Sequence, residues 1–180
     1  MKHFSALISA TVILIALVSP GAALDTKFYT VTEKTLSIDL GPSFIIEQGK
    51  FDANEDGMIT QEFLINNTGA PGSALVSITG VYDNELRYLS PSNLSQIFAS
   101  GVILGMEERG DRVAGNWTAQ DSRGGNVTVQ SLISQNPENA SDSRAYDMAV
   151  WNLEGPNYAI VISLLDRDNT TRLINTMTLT

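Results

Sequence analysis

Short runs in which apolar and polar residues alternate recur along most of the chain, and they predict β-strands. In the segment Thr26–Leu40, apolar residues occupy every second position from Leu36 to Leu40, which is typical of a strand with one buried face. Turn-forming glycine, proline and asparagine residues separate this segment from further runs of the same kind. These further predicted strands are Ser43–Glu47, Met58–Asn66, Ala74–Tyr82, Asp111–Asp121, Asn126–Ser134, Arg144–Leu153 and Tyr158–Asp166.

A different spacing, with apolar residues three or four positions apart, predicts one clear helix over Pro91–Gly105. Ser90 is a suitable N-cap because its hydroxyl can accept a hydrogen bond from a free backbone N–H of the first turn. Pro91 suits the first helical position because the N–H that it lacks would have no partner there. Gly105 is expected to end the helix.

The C-terminal segment after Asp166 remains open between helix and strand. Asp168 would cap a short helix with Leu173 and Ile174 on its inner side, whereas the many threonines suit a strand equally well. Together the elements predict an α+β fold in which a mainly antiparallel sheet of about seven strands is covered by the helix on one face. An all-β sandwich is the alternative, and residues 24–180 are expected to form a single globular domain.

The order of these elements resembles that of the PsbP-like family of secreted or lumenal α/β domains. The segments that carry the resemblance are Phe28–Val31, the turn Gly41–Phe44, the helix Pro91–Gly105 and the tail residues Leu173 and Ile174. The resemblance depends on the pattern of elements and includes no motif that is exclusive to the family. Because the family's members are mostly accessory or binding proteins, it implies a non-catalytic role, and it transfers no functional residue to this chain.

The first 23 residues have the layout of a secretory signal peptide. A short positive start precedes the apolar run Phe4–Val18, a break at Ser19–Gly21 and the small residues Ala22 and Ala23, after which cleavage is expected. The apolar run is shorter than the ~20 residues that a membrane-spanning helix needs. We therefore expect export with no transmembrane span after cleavage, and an uncleaved N-terminal anchor is the alternative.

The composition narrows the chemistry of the exported chain. It has no cysteine, and its only histidine, His3, would leave with the signal peptide. Catalysis that depends on an imidazole base is therefore excluded, as are zinc, copper and haem sites built on imidazole or thiolate. A hydrolase built on paired carboxylates is the remaining catalytic option, and we expect instead that the protein is not an enzyme. The candidate pairs are Asp83 with Glu85 and Glu107 with Glu108.

The net charge and the absence of disulfides bear on partners and location. A formal net charge of −9 repels nucleic-acid phosphates and anionic lipid, so neither is an expected partner. Exported domains often depend on disulfides, and a cysteine-free exported chain favours a prokaryotic exterior, archaeal included. The expected partner is therefore an unidentified protein or envelope component outside the cell.

Six Asn-X-Ser/Thr sequons occur in the chain and are candidate N-glycosylation sites. If Trp117 and Val127 point into the core, the neighbouring Asn116 and Asn126 point outward, because successive side chains of a strand face opposite sides. An uneven composition rich in serine and threonine is the alternative explanation for the number of sequons. The six candidate acceptors are Asn66, Asn93, Asn116, Asn126, Asn139 and Asn169.

The segment Asp52–Ile59 resembles the start of an EF-hand calcium loop, with oxygen-bearing side chains at alternate positions followed by Gly57. The match fails at the twelfth position, where the bidentate glutamate is replaced by Phe63 and Glu62 stands one residue early. Asp56–Gly57 is equally typical of a hairpin turn between two strands. The candidate calcium ligands are Asp52, Asn54, Asp56, Met58 through its carbonyl, and Glu62.

These observations favour a secreted or cell-surface protein that acts by binding or assembly without catalysis. A calcium-stabilised extracellular structural protein and a carboxylate-based hydrolase are the two alternatives. Trp117 and Trp151 are candidates for a sugar-stacking platform, with packing in the core as the alternative role.

Overall fold

Seven antiparallel strands form one sheet in the computed structural model, which describes residues 34–53, 57–83, 86–134 and 143–180. The elements in chain order are β1 (Leu36–Ser37), β2 (Phe44–Ala53), β3 (Met58–Asn67), β4 (Ser73–Val81), a 3₁₀ turn (Leu86–Tyr88), α1 (Pro91–Glu107), β5 (Arg112–Gln120), β6 (Asn126–Ser134), β7 (Arg144–Glu154), β8 (Asn157–Ser163), α2 (Arg167–Thr176) and β9 (Thr178–Leu179). Several residues that carry sequence-based predictions lie outside this described part. They are the predicted signal peptide 1–23, Phe28–Val31, Asn54, Asp56, Glu85 and Asn139.

The sheet has the strand order β2-β3-β4-β8-β7-β6-β5, and β1 pairs with β9 in a separate two-stranded sheet. Strands β2 to β4 form one meander and β5 to β8 form another, so the two meanders meet where β4 pairs with β8. The connection between them contains α1. A mainly antiparallel sheet with helices confirms the α+β prediction, and helices rather than a second large sheet cover its faces.

The first predicted strand is wrong over most of its described length. Thr26–Leu40 was expected to be a continuous strand, but from Lys34 onward only Leu36–Ser37 is assigned as β1. The alternation is nevertheless real, since Leu36, Ile38 and Leu40 are all buried. Their side chains pack beneath the large sheet, and only a short stretch of this segment's backbone pairs with β9. The apolar periodicity therefore predicted the buried positions correctly but not the extent of strand pairing.

Helix α1 begins where the sequence predicts, because the Ser90 hydroxyl accepts a hydrogen bond from the Asn93 N–H at 3.2 Å. Its predicted end at Gly105 is wrong, since the helix continues to Glu107. The Glu108 N–H donates to the Leu104 carbonyl, and Gly110 supplies the left-handed conformation (φ 92°) that the following turn requires.

The C-terminal segment contains helix α2 followed by the short strand β9. Its N-cap is Asp166, whose carboxylate accepts a hydrogen bond from the Asn169 N–H at 2.8 Å, so the proposed cap at Asp168 is wrong. Because Asp166 serves as the cap, β8 also ends earlier than predicted, at Ser163. Leu173 and Ile174 are fully buried, and each contributes about 1.5–3 kcal/mol by the removal of apolar surface from water.

The two faces of the large sheet carry separate cores. One face is covered by α2, β1 and β9, and its core contains Phe63, Ile65, Val76, Val129, Trp151, Val161, Leu173, Ile174 and Met177. The opposite face is covered by α1 over β7 and β8. Its buried contacts join Leu94, Phe98 and Met106 of the helix to Leu132, Met148, Val150 and Tyr158 of the sheet.

Candidate binding groove between helix α1 and strand β6

Helix α1 covers only part of its sheet face and leaves a groove of about 640 Å³ beside it. On the β5 side of the helix, Thr118, Gln120 and Thr128 remain exposed. The groove is bounded by α1 on one side and by β6, β7 and the β5–β6 turn on the other. Its lining residues are Pro91, Ser92, Ser95, Gln96, Ala99, Ser100, Ile103, Asp121, Arg123, Gly125, Asn126, Val127, Thr128, Gln130, Met148, Val150, Trp151 and Asn152.

The groove combines an apolar floor with uncharged polar walls. Ala99, Ile103, Met148 and Val150 belong to the packed contacts beneath α1. Around them stand hydroxyl and amide side chains, which can both donate and accept hydrogen bonds. These uncharged polar residues are Ser92, Ser95, Gln96, Ser100, Asn126, Thr128, Gln130 and Asn152.

Asp121 and Arg123 are the two charged side chains among the described lining residues, and they neutralise each other. Asp121 is 7% exposed, and its Oδ1 accepts hydrogen bonds from the backbone N–H groups of Arg123 (2.9 Å) and Gly125 (2.7 Å). Its Oδ2 accepts from Nη2 of Arg123 at 3.1 Å. The Asp121 carboxylate therefore stabilises the β5–β6 turn and also neutralises the charge of the Arg123 guanidinium.

The same guanidinium ties the turn to β7. Nη2 of Arg123 donates to the backbone carbonyl of Asn152, and Nδ2 of Asn152 donates to the carbonyls of Gly155 (2.9 Å) and Asn157 (3.1 Å). The side chains of Arg123 and Asn152 thus connect the β5–β6 turn with the β7–β8 turn at the same end of the sheet. This network fixes one end of the groove.

The two tryptophans do not form the exposed sugar-stacking platform considered from the sequence. Trp151 is 5% exposed and packs in the core on the α2 face, and its Nε1 has no hydrogen-bond partner among the described residues. Trp117 is half-buried, with the Arg167 guanidinium 4.6 Å from its ring centroid. Its Nε1 donates to Asp147 Oδ1 at 3.3 Å. Both rings are therefore engaged by the protein itself.

Two further polar contacts on β7 stabilise the sheet away from the groove. Ser131 donates a hydrogen bond to Asp147 at 2.6 Å, beside the Trp117 contact. The Tyr146 hydroxyl donates to Asp111 at 2.5 Å. Burial raises the pKa of Tyr146, and the bond to Asp111 raises it further because ionisation would break it. Tyr146 therefore remains a neutral donor at neutral pH.

The candidate calcium ligands in the described part of the chain lie on a β-hairpin rather than in a helix–loop–helix. Asp52 is opposite Thr60 in the β2–β3 ladder, and its carboxylate pairs with Lys50 at 3.2 Å. Met58 and Glu62 lie on one extended strand, roughly 13 Å apart at about 3.3 Å per residue. No group of three or more acidic, histidine or cysteine side chains suited to a metal occurs among the described residues. Calcium binding stays a prediction.

The structure places three of the six sequon asparagines in exposed positions, namely Asn93, Asn116 and Asn126. Asn116 and Asn126 lie on neighbouring strands on the α1 side of the sheet, and the threonines of their sequons, Thr118 and Thr128, are direct cross-strand partners. Asn66 and Asn169 are partly buried, and Asn169 Nδ2 donates to Asp166 at 2.8 Å. Whether any sequon carries a glycan stays a prediction.

Asp83, Glu107 and Glu108, the described members of the carboxylate pairs considered for hydrolysis, do not line the groove. Glu107 is the last residue of α1 and Glu108 is its C-cap, and both are exposed. The Asp83 carboxylate accepts a hydrogen bond from the Leu86 N–H at 3.2 Å, which caps the 3₁₀ turn. Asp121 is the one carboxylate among the described residues that line the groove.

Sequence reasoning missed the groove, although one signal was present. Polar residues follow one side of α1 at helical spacing, as Ser92, Ser95, Gln96 and Ser100. A solvated helix face rich in serine and glutamine looks the same whether or not a sheet faces it. The polar face of α1 forms one side of a groove only because β6 lies opposite it.

Comparison with known proteins adds no assignment: no family model matches the chain, and neither does any curated protein. Among the described residues, neither helix has the length and apolar content needed to cross a bilayer.

Proposed function

We propose that the protein is exported and acts outside the cell as a non-catalytic binding module that holds its ligand in the groove between α1 and β6. The observation that carries this proposal is the lining, which places uncharged hydrogen-bonding side chains around an apolar floor. Ligand sites typically combine a mostly apolar concavity with a few polar groups that orient the ligand. The volume of about 640 Å³ lies within the range of such sites, ~300–1,000 Å³.

The groove is better suited to binding than to hydrolysis. A carboxylate-based glycosidase needs two carboxyl groups about 5–10 Å apart across a cleft. Asp121 is the only carboxylate in the described lining, and both of its oxygens are occupied by the turn and by Arg123. A carboxylate held in this way is a structural anchor, because it has no free oxygen directed to a substrate.

Export and glycosylation belong to the same proposal. The signal-like N-terminus and the resemblance to secreted PsbP-like accessory domains support an extracellular location. Asn93 and Asn116 are exposed outside the groove lining and are available for modification, whereas a glycan on Asn126 would occupy the groove. The mass of protein purified from its native source, measured before and after deglycosylation, tests this part. We expect loss of residues 1–23 and at least one removable glycan. An unmodified full-length mass would contradict both.

Retention on envelopes from the native source tests the binding role. Ser100→Trp places a large ring in the groove from an exposed helix position, whereas Leu104→Trp places the same ring on the same helix outside the groove. We expect wild type and Leu104→Trp to be retained and Ser100→Trp to lose at least about tenfold in affinity, or ~1.4 kcal/mol. Equal retention of all three proteins, or none by wild type, would refute the proposal.

A further inference from the structure

We propose that the ligand of the α1–β6 groove is an uncharged saccharide chain. This inference rests on the proposed function and specifies the ligand class of the same site. It is carried by three properties of the lining: its neutrality, its unused hydrogen-bonding groups and its apolar floor.

The neutrality of the lining excludes the two charged ligand classes. The whole chain carries a net charge of −9, yet the described groove lining contains one acidic and one basic side chain. Their charges cancel through the contact between Asp121 Oδ2 and Arg123 Nη2 at 3.1 Å. An anionic ligand would find no uncompensated cation here and would meet the negative field of the protein. A cationic ligand would find no free carboxylate.

Ser95 and Asn152 use their side chains in hydrogen bonds within the protein, whereas four other polar residues of the walls do not. Gln96, Gln130, Ser100 and Thr128 make no side-chain hydrogen bond with other described residues. A glutamine amide presents a donor and an acceptor side by side, which matches a pair of adjacent sugar hydroxyls. Gln96 on the helix and Gln130 on β6 present such amides from opposite walls, so a sugar ring between them would be held from both sides.

The floor suits the less polar face of a sugar ring. Ala99 and Ile103 are partly exposed and offer aliphatic surface beneath the polar walls, and the buried Met148 and Val150 pack behind them. A pyranose carries C–H groups on its faces and hydroxyls around its rim, so it would place apolar surface on the floor and hydroxyls against the walls. A bound sugar would then satisfy the general requirement that buried polar groups are hydrogen-bonded.

A peptide is a poorer match for this groove. Peptides are commonly recognised by addition of a strand to a free sheet edge or by deep apolar pockets for anchor side chains. The groove lies over β6, whose backbone is already paired with β5 on one side and β7 on the other. Strand addition is therefore impossible in the groove itself.

Titration of the full exported chain with defined oligosaccharides, followed by calorimetry and backbone-amide NMR, tests the inference. The probes are neutral malto-, manno- and chito-oligosaccharides, with anionic oligogalacturonate and an uncharged peptide library as comparisons. Gln96→Met and Gln130→Met each remove an amide from a wall with little change in volume. Gln120→Met is the matched control, because Gln120 is exposed on the same sheet face outside the groove.

We expect one neutral series to bind, to shift the amides of β6 and α1, and to bind about fivefold more weakly to Gln96→Met and to Gln130→Met, as loss of one net hydrogen bond implies. Gln120→Met should bind like wild type, and oligogalacturonate should not bind. Saccharide binding that both wall variants leave unchanged would overturn the inference, as would binding of the peptides alone. If no oligosaccharide binds but Ser100→Trp still loses envelope retention, the ligand class is wrong and the binding function stands.

Discussion

Replacing Asp121 by alanine removes the single carboxylate that shapes one end of the groove. Its Oδ1 accepts two backbone hydrogen bonds, from Arg123 at 2.9 Å and from Gly125 at 2.7 Å. Its Oδ2 contacts Nε (3.4 Å) and Nη2 (3.1 Å) of the Arg123 side chain. The backbone contacts define the turn, whereas the side-chain contacts mainly hold the guanidinium.

The two sets of contacts differ in their contribution to stability. A hydrogen bond to a charged acceptor contributes about 1.5–3 kcal/mol, so two of them set an upper limit of roughly 3–6 kcal/mol. Both turn residues are exposed, and water can replace part of the lost interaction, which reduces our expectation to about 2–3 kcal/mol. The Arg123 side chain is 53% exposed, so its ion pair should contribute no more than about 1 kcal/mol.

Urea and thermal unfolding of three variants separate these contributions. We expect Asp121→Ala to lower Tm by roughly 4–12 °C, using ~2–4 °C per kcal/mol for a domain of this size. Asp121→Asn keeps an acceptor in the same position and should cost about 1 kcal/mol. Arg123→Met keeps both backbone bonds but removes the ion pair and the hydrogen bond to the Asn152 carbonyl, so it should cost about 1 kcal/mol, less than Asp121→Ala. If Arg123→Met costs as much as Asp121→Ala, or if Asp121→Ala costs under ~0.5 kcal/mol, the carboxylate does not hold the turn.

Three further outcomes follow from the structure. Asp166→Ala should destabilise the protein by about 1 kcal/mol at pH 7 through loss of the α2 cap, and Asp166→Asn should not. The hydrogen bond from the Asn169 N–H lowers the pKa of Asp166. The stabilisation that the Asp166 carboxylate provides is therefore present above its unfolded pKa of about 3.9 and is lost as the pH falls through the lower folded pKa. The urea midpoints of wild type and Asp166→Ala should converge in acid, and a constant difference between them would contradict this. Gly80→Ala should cost about 1–3 kcal/mol in thermal unfolding, because the added Cβ would lie 2.7 Å from the Tyr82 ring; an unchanged Tm would show that the ring moves aside freely. If the predicted calcium site exists, millimolar calcium should raise Tm and Asp52→Asn should abolish the rise, whereas an unchanged Tm would contradict the prediction.

Local signals predicted well those elements whose boundaries depend on neighbouring residues. The start of α1 depends on Ser90 and Pro91, which act within one helical turn, and it was predicted correctly. Strand β6 was also predicted with its observed bounds, Asn126–Ser134, because its first half alternates apolar and polar residues, apolar residues continue to Ile133, and a glycine-rich turn precedes it. In such segments, propensity and burial favour the same structure.

Boundaries that depend on distant residues were predicted poorly. Ile38 and Leu40 have the pattern of a strand but lie beyond the short ladder with β9, and nothing local reveals where that ladder ends. Gly105 was expected to end α1, yet packing of Met106 against the sheet continues the helix past it. Tertiary burial outweighed the weak helix preference of one glycine, which is about 1 kcal/mol.

The groove depends even more strongly on tertiary structure. Its walls come from α1 and from β6, and its end is fixed where the Arg123 side chain donates to the carbonyl of Asn152, 29 residues further along the chain. Composition indicated an acidic surface, but it did not indicate that the two charges in this lining cancel. That cancellation depends on a 3.1 Å contact within one turn.

By itself, the sequence limited the chemical groups of this protein: it has no cysteine and a single histidine, so oxygen, amide, amine and guanidinium groups make up most of what it offers a ligand. It also determined the α+β class, because alternation and helical spacing are local patterns with local physical causes. Only the tertiary structure decided where the candidate site lies. Neutral side chains that are ordinary on a solvated helix form the proposed binding surface only because α1 and β6 are brought face to face over the sheet.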